Sequence, residues 1–343
     1  MHDHELQQAA DIAVRELFGL KPGEILAVTA DSESDPQVVD AVARAAFAAG
    51  GRPLTVWIAA PLGVSRAADP YVPVEALAGM LKGANAWAEL NRKWLLYSTA
   101  HLAAAKENPG LRHLCLTGLT VDTMVRCIGR VDYPALKAFG EALAQVVRDA
   151  RHMRMSTAAG EEVEFDNAPG RPVLCESGYA DTPGSHMMAG QIGWTPVLES
   201  IEGTIVLDAS IAPDIGIVRT PVRIRLRGGR IESMEGGQEA RAYEGWLKGF
   251  DHPQMLSVAH AGLGFNPGAR LSGDILQDQR VWGSSTWGFG SIGASLLPPG
   301  GVAGPSHSDA VTLGTTLYAD GRPILRDGAV ADEGLEELAR RLR

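Results

Sequence analysis

Between Ile25 and Ile58 the chain follows an order that few folds can absorb. The apolar run Ile25-Leu26-Ala27-Val28 leads into a polar turn, Asp31 to Pro36. Val38, Val39, Val42, Ala45 and Ala46 then recur at helical spacing, and after Gly50-Gly51 a second apolar run extends from Leu54 to Ile58. Strand, helix, strand in that order predicts two parallel strands with the helix laid on the sheet, because parallel neighbours need a long crossover. Pro36 suits the first helical position, where its missing N–H leaves no bond unmade.

The rest of the first half extends the pattern. Leu6, Ala9, Ala10, Ala13, Leu17 and Phe18 predict a helix over 5–18, closed by Gly19. Trp94–Tyr97 and His113–Leu116 read as further strands, and Leu136, Phe139, Leu143 and Val147 mark a helix from about Pro134 to Ala150. Together these elements predict an α/β domain over residues 1–150, a parallel sheet in αβα layers. It is Rossmann-like in outline only. No GxGxxG follows the first strand and no GxxxxGK[ST] occurs anywhere, while Asp31 and Glu33 in the first turn would repel a pyrophosphate. A nucleotide cofactor is therefore not expected.

Residues 151–343 read as an α+β domain that carries the chemistry. A Gly- and Pro-rich stretch covers 164–195, and Thr204–Ala209 is a strand. Val222, Ile224 and Leu226 alternate with arginines up to Gly228-Gly229, a hairpin signal. A helix over 238–250, strands near 256–259 and 311–318, and a helix over 333–342 complete the reading.

Composition narrows the function. The formal charge is −10, and the arginines at 223, 225, 227 and 230 alternate along one strand, which fits a solvated strand face better than a phosphate stripe, so no nucleic-acid partner is expected. No apolar run approaches about 18 residues, the length a membrane helix needs. The start lacks a basic segment followed by an apolar core, and the three cysteines form no close pair. A cytoplasmic protein with no membrane association is expected.

The sharpest chemical feature is His307-Ser308-Asp309. On a strand, side chains two apart share a face, so one extended step aims an imidazole and a carboxylate at a common point. Pro305 favours extended geometry there. His260 ends the apolar run Leu256-Ser257-Val258-Ala259 and opens onto Ala261-Gly262, a position suited to facing a cleft. Two imidazoles and one carboxylate leave about three octahedral positions open, the ligand logic of mononuclear non-haem Fe(II) oxygenases. The same donors could hold zinc with one open water site.

Glu176, at the end of Pro172-Val173-Leu174-Cys175, could serve as general base, as a partner orienting a ligand, or as a further ligand. His186 and Gln191 lie in the glycine-flanked stretch 184–193 and, with Tyr179, are candidates for substrate contacts. Trp282 and Trp287 sit in a Gly/Ser-rich stretch where one could line a pocket for a flat ring. His101, His113 and His152 show no ligand spacing.

Four segments occur in order: Glu176-Ser-Gly-Tyr-Ala-Asp-Thr-Pro-Gly184, Glu202-Gly-Thr-Ile-Val-Leu-Asp208, His260-Ala-Gly-Leu-Gly-Phe-Asn-Pro267 and His307-Ser-Asp309. The chain thereby resembles the thermophilic metallo-aminopeptidase (M29) superfamily, and within it the 2,5-dihydroxypyridine 5,6-dioxygenase family. The resemblance implies an N-terminal αβα domain, a C-terminal α+β metal domain and a homo-oligomer. The aminopeptidases carry two metals. Here His260 stands where one of their metal glutamates is expected, and Gly283–Gly288 lacks another metal histidine. Glu176 resembles the remaining metal glutamate, and His307 and Asp309 match directly. The implied enzyme is a dioxygenase with Fe(II) on His260, His307 and Asp309, opening a small hydroxylated N-heteroaromatic ring with O₂. Glu176 and His186 would be its catalytic residues, and Tyr179, Gln191 and Trp287 its substrate contacts. The alternative is a zinc or manganese hydrolase of a small amide, peptide or cyclic amide.

Overall fold

The computed structural model describes residues 2–342, which fall into two compact units. The first comprises Met1–Val131 and Glu176–Ala189. Its sheet holds β1 (Ile25–Asp31), β2 (Arg52–Ile58), β3 (Ala86–Glu89), β4 (Arg112–Cys115) and the strand Gly184–Met187, which is β8 in chain order. The spatial order is β2-β1-β3-β4-β8, and every pairing is parallel. The inner strands β3 and β4 are buried at every position and β1 at all but its first, as a parallel sheet covered on both faces requires. On one face Ala27 and Trp87 pack with Leu77, Leu81, Ala100 and Ala104.

The crossover after β1 forms as its residues dictate. Asp35 caps the helix Pro36–Ala48 by accepting the Gln37 N–H at 3.0 Å, with Pro36 at the first turn. In the turn after β1, the buried Asp31 carboxylate accepts the N–H groups of Glu33 and Lys93, both at 2.9 Å. Side-chain oxygens therefore take backbone donors at the place where dinucleotide folds present theirs to phosphate.

Two expectations need correcting. Trp94–Tyr97 is not a strand, and the neighbour of β1 is the earlier run Ala86–Glu89. The Leu95 and Leu96 N–H groups turn instead onto the Glu89 carboxylate. The boundary at residue 150 also differs from the division into units. The helix Tyr133–Asp149 belongs to the second unit, and the Gly/Pro-rich segment returns to the first to add an edge strand. Its close packing explains the helix: a Cβ at Gly140 would lie 2.7 Å from both Cys175 Sγ and Phe265 Cζ, members of the second unit.

The second unit, Asp132–Cys175 and Gly190–Arg343, is built on two sheets. Its strands in chain order are β5 (His152–Ser156), β6 (Glu162–Asp166), β7 (Val173–Glu176), β9 (Gln191–Trp194), β10 (Glu202–Leu207), β11 (Ser210–Ala212), β12 (Gly216–Ile217), β13 (Val222–Arg227), β14 (Arg230–Glu235), β15 (Val258–Gly264), β16 (Ser285–Ile292), β17 (Val302–Thr312), β18 (Thr316–Ala319), β19 (Arg322–Arg326) and β20 (Ala329–Val330). One sheet has the order β14-β13-β10-β6-β5-β18-β19-β20, the other β12-β11-β17-β16-β15-β9-β7.

In the larger sheet, β6 and β13 alternate buried and exposed positions, so one face packs inward and the other meets solvent. The exposed face carries the arginines, and Arg225 and Arg227 pair with Glu232 at 2.9 and 3.5 Å. This is the solvated strand face expected from the alternation. The inward face meets the smaller sheet, where the Phe165 and Trp287 rings stand edge to face at 5.9 Å. Among the described residues no helix is long and apolar enough to cross a membrane.

Glu161 is an anomaly in this interior. It is 1% exposed. Its carboxyl lies near the Val206 backbone and the Trp287 indole, yet neither oxygen makes a hydrogen bond of sound geometry. Burial, with Asp208 and Glu162 adding, pushes its pKa from about 4.5 to about 8. Between those values the native state keeps a proton that the unfolded chain has released, so stability should fall as pH rises through that window. We expect a loss of up to about 1.4 kcal/mol per pH unit. Urea unfolding of Glu161→Gln across the same range should show a flatter profile than the parent. Parallel profiles would place the proton elsewhere.

Candidate metal centre

Two strands of the smaller sheet supply the donors, and a third lies between them. His260 is on β15, His307 and Asp309 are on β17, and β16 separates the two. The register sets His260 opposite Gly288, and Gly288 opposite Asp309, while His307 faces Gly290. Directly paired residues share a face of an antiparallel sheet. All three donors therefore stand on one face, and the intervening strand has no side chain at either crossing point. His260 lies across that gap. A Cβ placed on Gly288 would come within 2.3 Å of both Cδ2 and Nε2 of the imidazole.

A slip of register accompanies each histidine. The β15–β16 ladder shifts between Val258 and His260, and the β16–β17 ladder shifts between Gly290 and Ile292. Such irregularities re-aim side chains and free backbone groups. At the first, Thr195 Oγ1 donates to the Ala259 carbonyl at 2.9 Å. At the second, the Ser291 carbonyl accepts from His307 Nδ1 at 2.8 Å. Since a carbonyl only accepts, the neutral His307 ring has its proton on Nδ1 and a lone pair on Nε2, aimed at the site. From the opposite face of β17, the Tyr243 hydroxyl meets Ser308 Oγ at 2.8 Å, and Ser308 Oγ donates to the Ala212 carbonyl. The strand is thus held from behind while its neighbours on either side of Ser308 present the donors.

The donor atoms form a small triangle. His260 Nε2 lies 3.0 Å from Asp309 Oδ1, His307 Nε2 lies 3.2 Å from the same oxygen, and the two Nε2 atoms are 3.3 Å apart. The rings are nearly parallel, 10° apart. Metal–donor bonds of about 2.1 Å place adjacent donors roughly 3.0–3.4 Å apart in octahedral or tetrahedral coordination. All three edges fit, so the donors suit one face of a polyhedron and leave the other side open. His260 Nδ1 is buried without a hydrogen-bond partner among the described residues. Among the described residues these three form a group of His, Cys, Asp and Glu side chains able to share an ion.

Charge supports the same reading. Burial alone would raise the Asp309 carboxyl, but His307 and His260 outweigh it and hold the group far below the carboxylate range. Burial alone would lower His307, but Asp309 outweighs that and raises it. The carboxylate is therefore ionised, and a metal must displace a proton that His307 holds more firmly than a free imidazole does.

The other sequence candidates distribute differently. Gln191 on β9, paired with Gly264 of β15, shares the face of His260, and its Nε2 reaches Thr286 Oγ1 at 3.4 Å. Trp287 shows no exposure and turns to the opposite face, against Phe165. Strand alternation makes it core rather than a wall beside the donors, which corrects its assignment as a substrate contact. Glu176, Tyr179 and His186 belong to the first unit. There Glu176 Oε2 accepts the Met187 N–H at 3.2 Å, and His186 Nε2 donates to the Thr182 carbonyl at 2.9 Å. Sequence reasoning missed Gly288, Gly290, Ser291 and Tyr243. The alternate glycines of Gly288-Phe-Gly290 were the one signal that could have found the first two.

Comparison with known proteins gives consistent results. A family model described as 2,5-dihydroxypyridine 5,6-dioxygenase matches residues 10–332. A 2,5-dihydroxypyridine 5,6-dioxygenase of Pseudomonas putida is 28% identical over 200 residues, 55% of this chain and 57% of that enzyme. That match spans little more than half the length of the relative. The solved 2,5-dihydroxypyridine dioxygenase of Pseudomonas putida superposes with a TM-score of 0.78 at 21% identity, covering 97% of this chain and 99% of that one. AmpT from Thermus thermophilus superposes with a TM-score of 0.68 at 16% identity, covering 97% and 100%. The α/β unit with a parallel sheet, followed by a unit of antiparallel sheets, is the fold expected from the sequence.

The role of Gly288 is open to a double-mutant cycle. Its backbone suits alanine, so Gly288→Ala should cost about 1–3 kcal/mol through the clash with His260 and weaken divalent-metal binding. In a His260→Ala background the same change should cost almost nothing. Denaturant unfolding of the four proteins measures the coupling, and an equal cost in both backgrounds would show that the ring does not occupy the gap.

Proposed function

Because the chain belongs to the 2,5-dihydroxypyridine 5,6-dioxygenase family, we propose that it is a mononuclear non-haem Fe(II) dioxygenase. It opens the ring of a small hydroxylated N-heteroaromatic such as a dihydroxypyridine, with His260, His307 and Asp309 holding the ion. The observation that carries this reading is the triangle of two Nε2 atoms and one carboxylate oxygen, with edges of 3.0, 3.2 and 3.3 Å.

Iron, when bound, supplies the one-electron chemistry that lets dioxygen react with a closed-shell ring. The protein supplies placement. Two neutral imidazoles and one carboxylate leave a single net positive charge on a divalent ion, which favours an anionic ring hydroxyl as a further ligand. Around His260 the sheet face carries Gly193 and Gly262, paired with each other across the strands, while the imidazole itself covers Gly288. A flat ring can approach a surface without side chains more closely than any other. Gln191 and Thr286 give that floor its polar groups and can orient a ring nitrogen or hydroxyl. Glu176 and His186 are the candidates for proton transfer, and Tyr179 for recognition of a ring substituent. The small-molecule substrate and O₂ are the partners this chemistry needs, and a homo-oligomer is the assembly that the family resemblance suggests.

Anaerobic reconstitution separates the readings. The metal-free chain loaded with Fe(II) should consume one O₂ for each ring opened, measured with an oxygen electrode on dihydroxypyridines and related hydroxylated aromatics. Zinc- or manganese-loaded protein should be inactive in that assay. Full turnover of an amide or peptide under nitrogen with zinc would replace the oxygenase by a hydrolase. His307→Ala should bind Fe(II) at least about 100-fold more weakly, since loss of an outer partner alone commonly costs 10–100-fold, while its far-ultraviolet circular dichroism stays unchanged. Unaltered metal content in that variant would remove His307 from the site.

A further inference from the structure

The first unit contains a second constellation of chemically active side chains, and the proposed oxygenase makes no use of it. Trp87 on β3, His113 on β4 and Ser185 on β8 stand in one row across the parallel sheet, in direct register. Glu89 follows Trp87 by two residues on the same face. His101 joins them from the helix Thr99–Glu107.

With Glu89 as the acceptor, the hydrogen-bond partners assign the protons. The Glu89 carboxylate only accepts. Its Oε1 receives the Leu95 and Leu96 N–H groups, and its Oε2 lies 2.9 Å from His113 Nε2, which must therefore carry the proton. That leaves a lone pair on Nδ1 of the neutral His113 ring, 3.1 Å from Ser185 Oγ. On the other side, the Tyr97 N–H donates to His101 Nδ1 at 3.1 Å, so His101 Nε2 carries the proton and donates to Ser185 Oγ at 3.0 Å. Burial, aided by nearby His113 and opposed by Glu89, pushes the His101 pKa down to about 4, so this ring stays neutral. With one lone pair of the hydroxyl filled by His101, the Ser185 proton has one acceptor, His113 Nδ1.

The arrangement is polarised in depth as well. The His113 and Glu89 side chains are 2% and 0% exposed. Trp87 stacks on the His113 ring at 3.9 Å and holds its plane. Ser185, by contrast, is an exposed residue on the edge strand. A network whose only purpose was to satisfy buried groups would have no need of an exposed hydroxyl at its end. Serine, imidazole and buried carboxylate in a row are the parts of an activated nucleophile.

We propose that Ser185 is a nucleophile with His113 as its general base, and that the pair accepts acyl groups from small activated carboxylic esters. Ser185 Oγ attacks the ester carbonyl carbon, and its proton passes to His113 Nδ1 as the Oγ–C bond forms. Glu89 holds the imidazolium through the Nε2–H. The bond from carbon to the leaving oxygen then breaks, and the leaving group takes the proton from His113. Water repeats the sequence at the acyl-serine, releasing the carboxylic acid and restoring the hydroxyl. His101 is a positioning residue that fixes the rotation of the hydroxyl.

The test uses the full chain after exhaustive chelation, which keeps it independent of the metal centre. A fluorophosphonate probe should add once per chain, and peptide mapping should place the adduct on Ser185. p-Nitrophenyl acetate should give a burst of p-nitrophenolate. Ser185→Ala should abolish both signals, and His113→Gln should slow labelling about 100-fold or more. Should either variant unfold, the parent protein still decides the matter. Absence of an adduct on Ser185, or labelling as fast in folded His113→Gln as in the parent, would reduce the cluster to a brace for the edge strand.

Discussion

His260 can reach Asp309 because nothing stands between them. The two residues lie on strands that are not neighbours, and the strand that separates them presents Gly288 at the crossing point. A methyl group there would occupy the volume of the imidazole. The donor triangle is therefore made as much by an omitted side chain as by the three side chains present. Close packing makes such an omission consequential, since a filled interior has no slack into which a ring could retreat.

The remaining features of the centre follow from holding that ring and its two partners in place. A register slip beside each histidine frees a carbonyl. Thr195 takes one and His307 itself takes the other. Tyr243 and Ser308 secure β17 from the far side. The cost of burying a charge on this face is offset by its partners: the His307 and His260 rings meet the Asp309 oxygen and hold the carboxyl ionised. Glu161, on the side of the sheet that packs inward, has no such partner and keeps its proton instead. The two acids illustrate one rule from opposite sides, since burial penalises charge and a nearby counter-charge or hydrogen bonds to the charged form reverse the penalty.

Family membership and the donor geometry support the same chemistry from independent directions. The match to the family model runs from residue 10 to 332, through both units. The likeness to AmpT, at 16% identity, extends to the fold. A shared fold does not by itself fix the chemistry, which depends on the side chains at the site. Here the candidate donors are two imidazoles and one carboxylate.

Much of this was legible in the chain itself. Period-2 and period-3.6 patterns are local, so the first strand–helix–strand unit, its Asp35 and Pro36 cap, the arginine hairpin and the terminal helix could be read directly. His307 and Asp309 share a face because any strand alternates, and His260 could be suspected from its place at the end of an apolar run. What the sequence could not supply was register. Register decided that Gly288 lies between His260 and Asp309, that Trp287 turns into the core, and that residues 184–187 leave the second half of the chain to close the first sheet. It also set Ser185 beside His113, two residues that no local pattern connects. Alternation along a strand is a property of the chain, whereas the partner across the ladder is chosen by the packing of the whole unit, and both clusters depend on that choice.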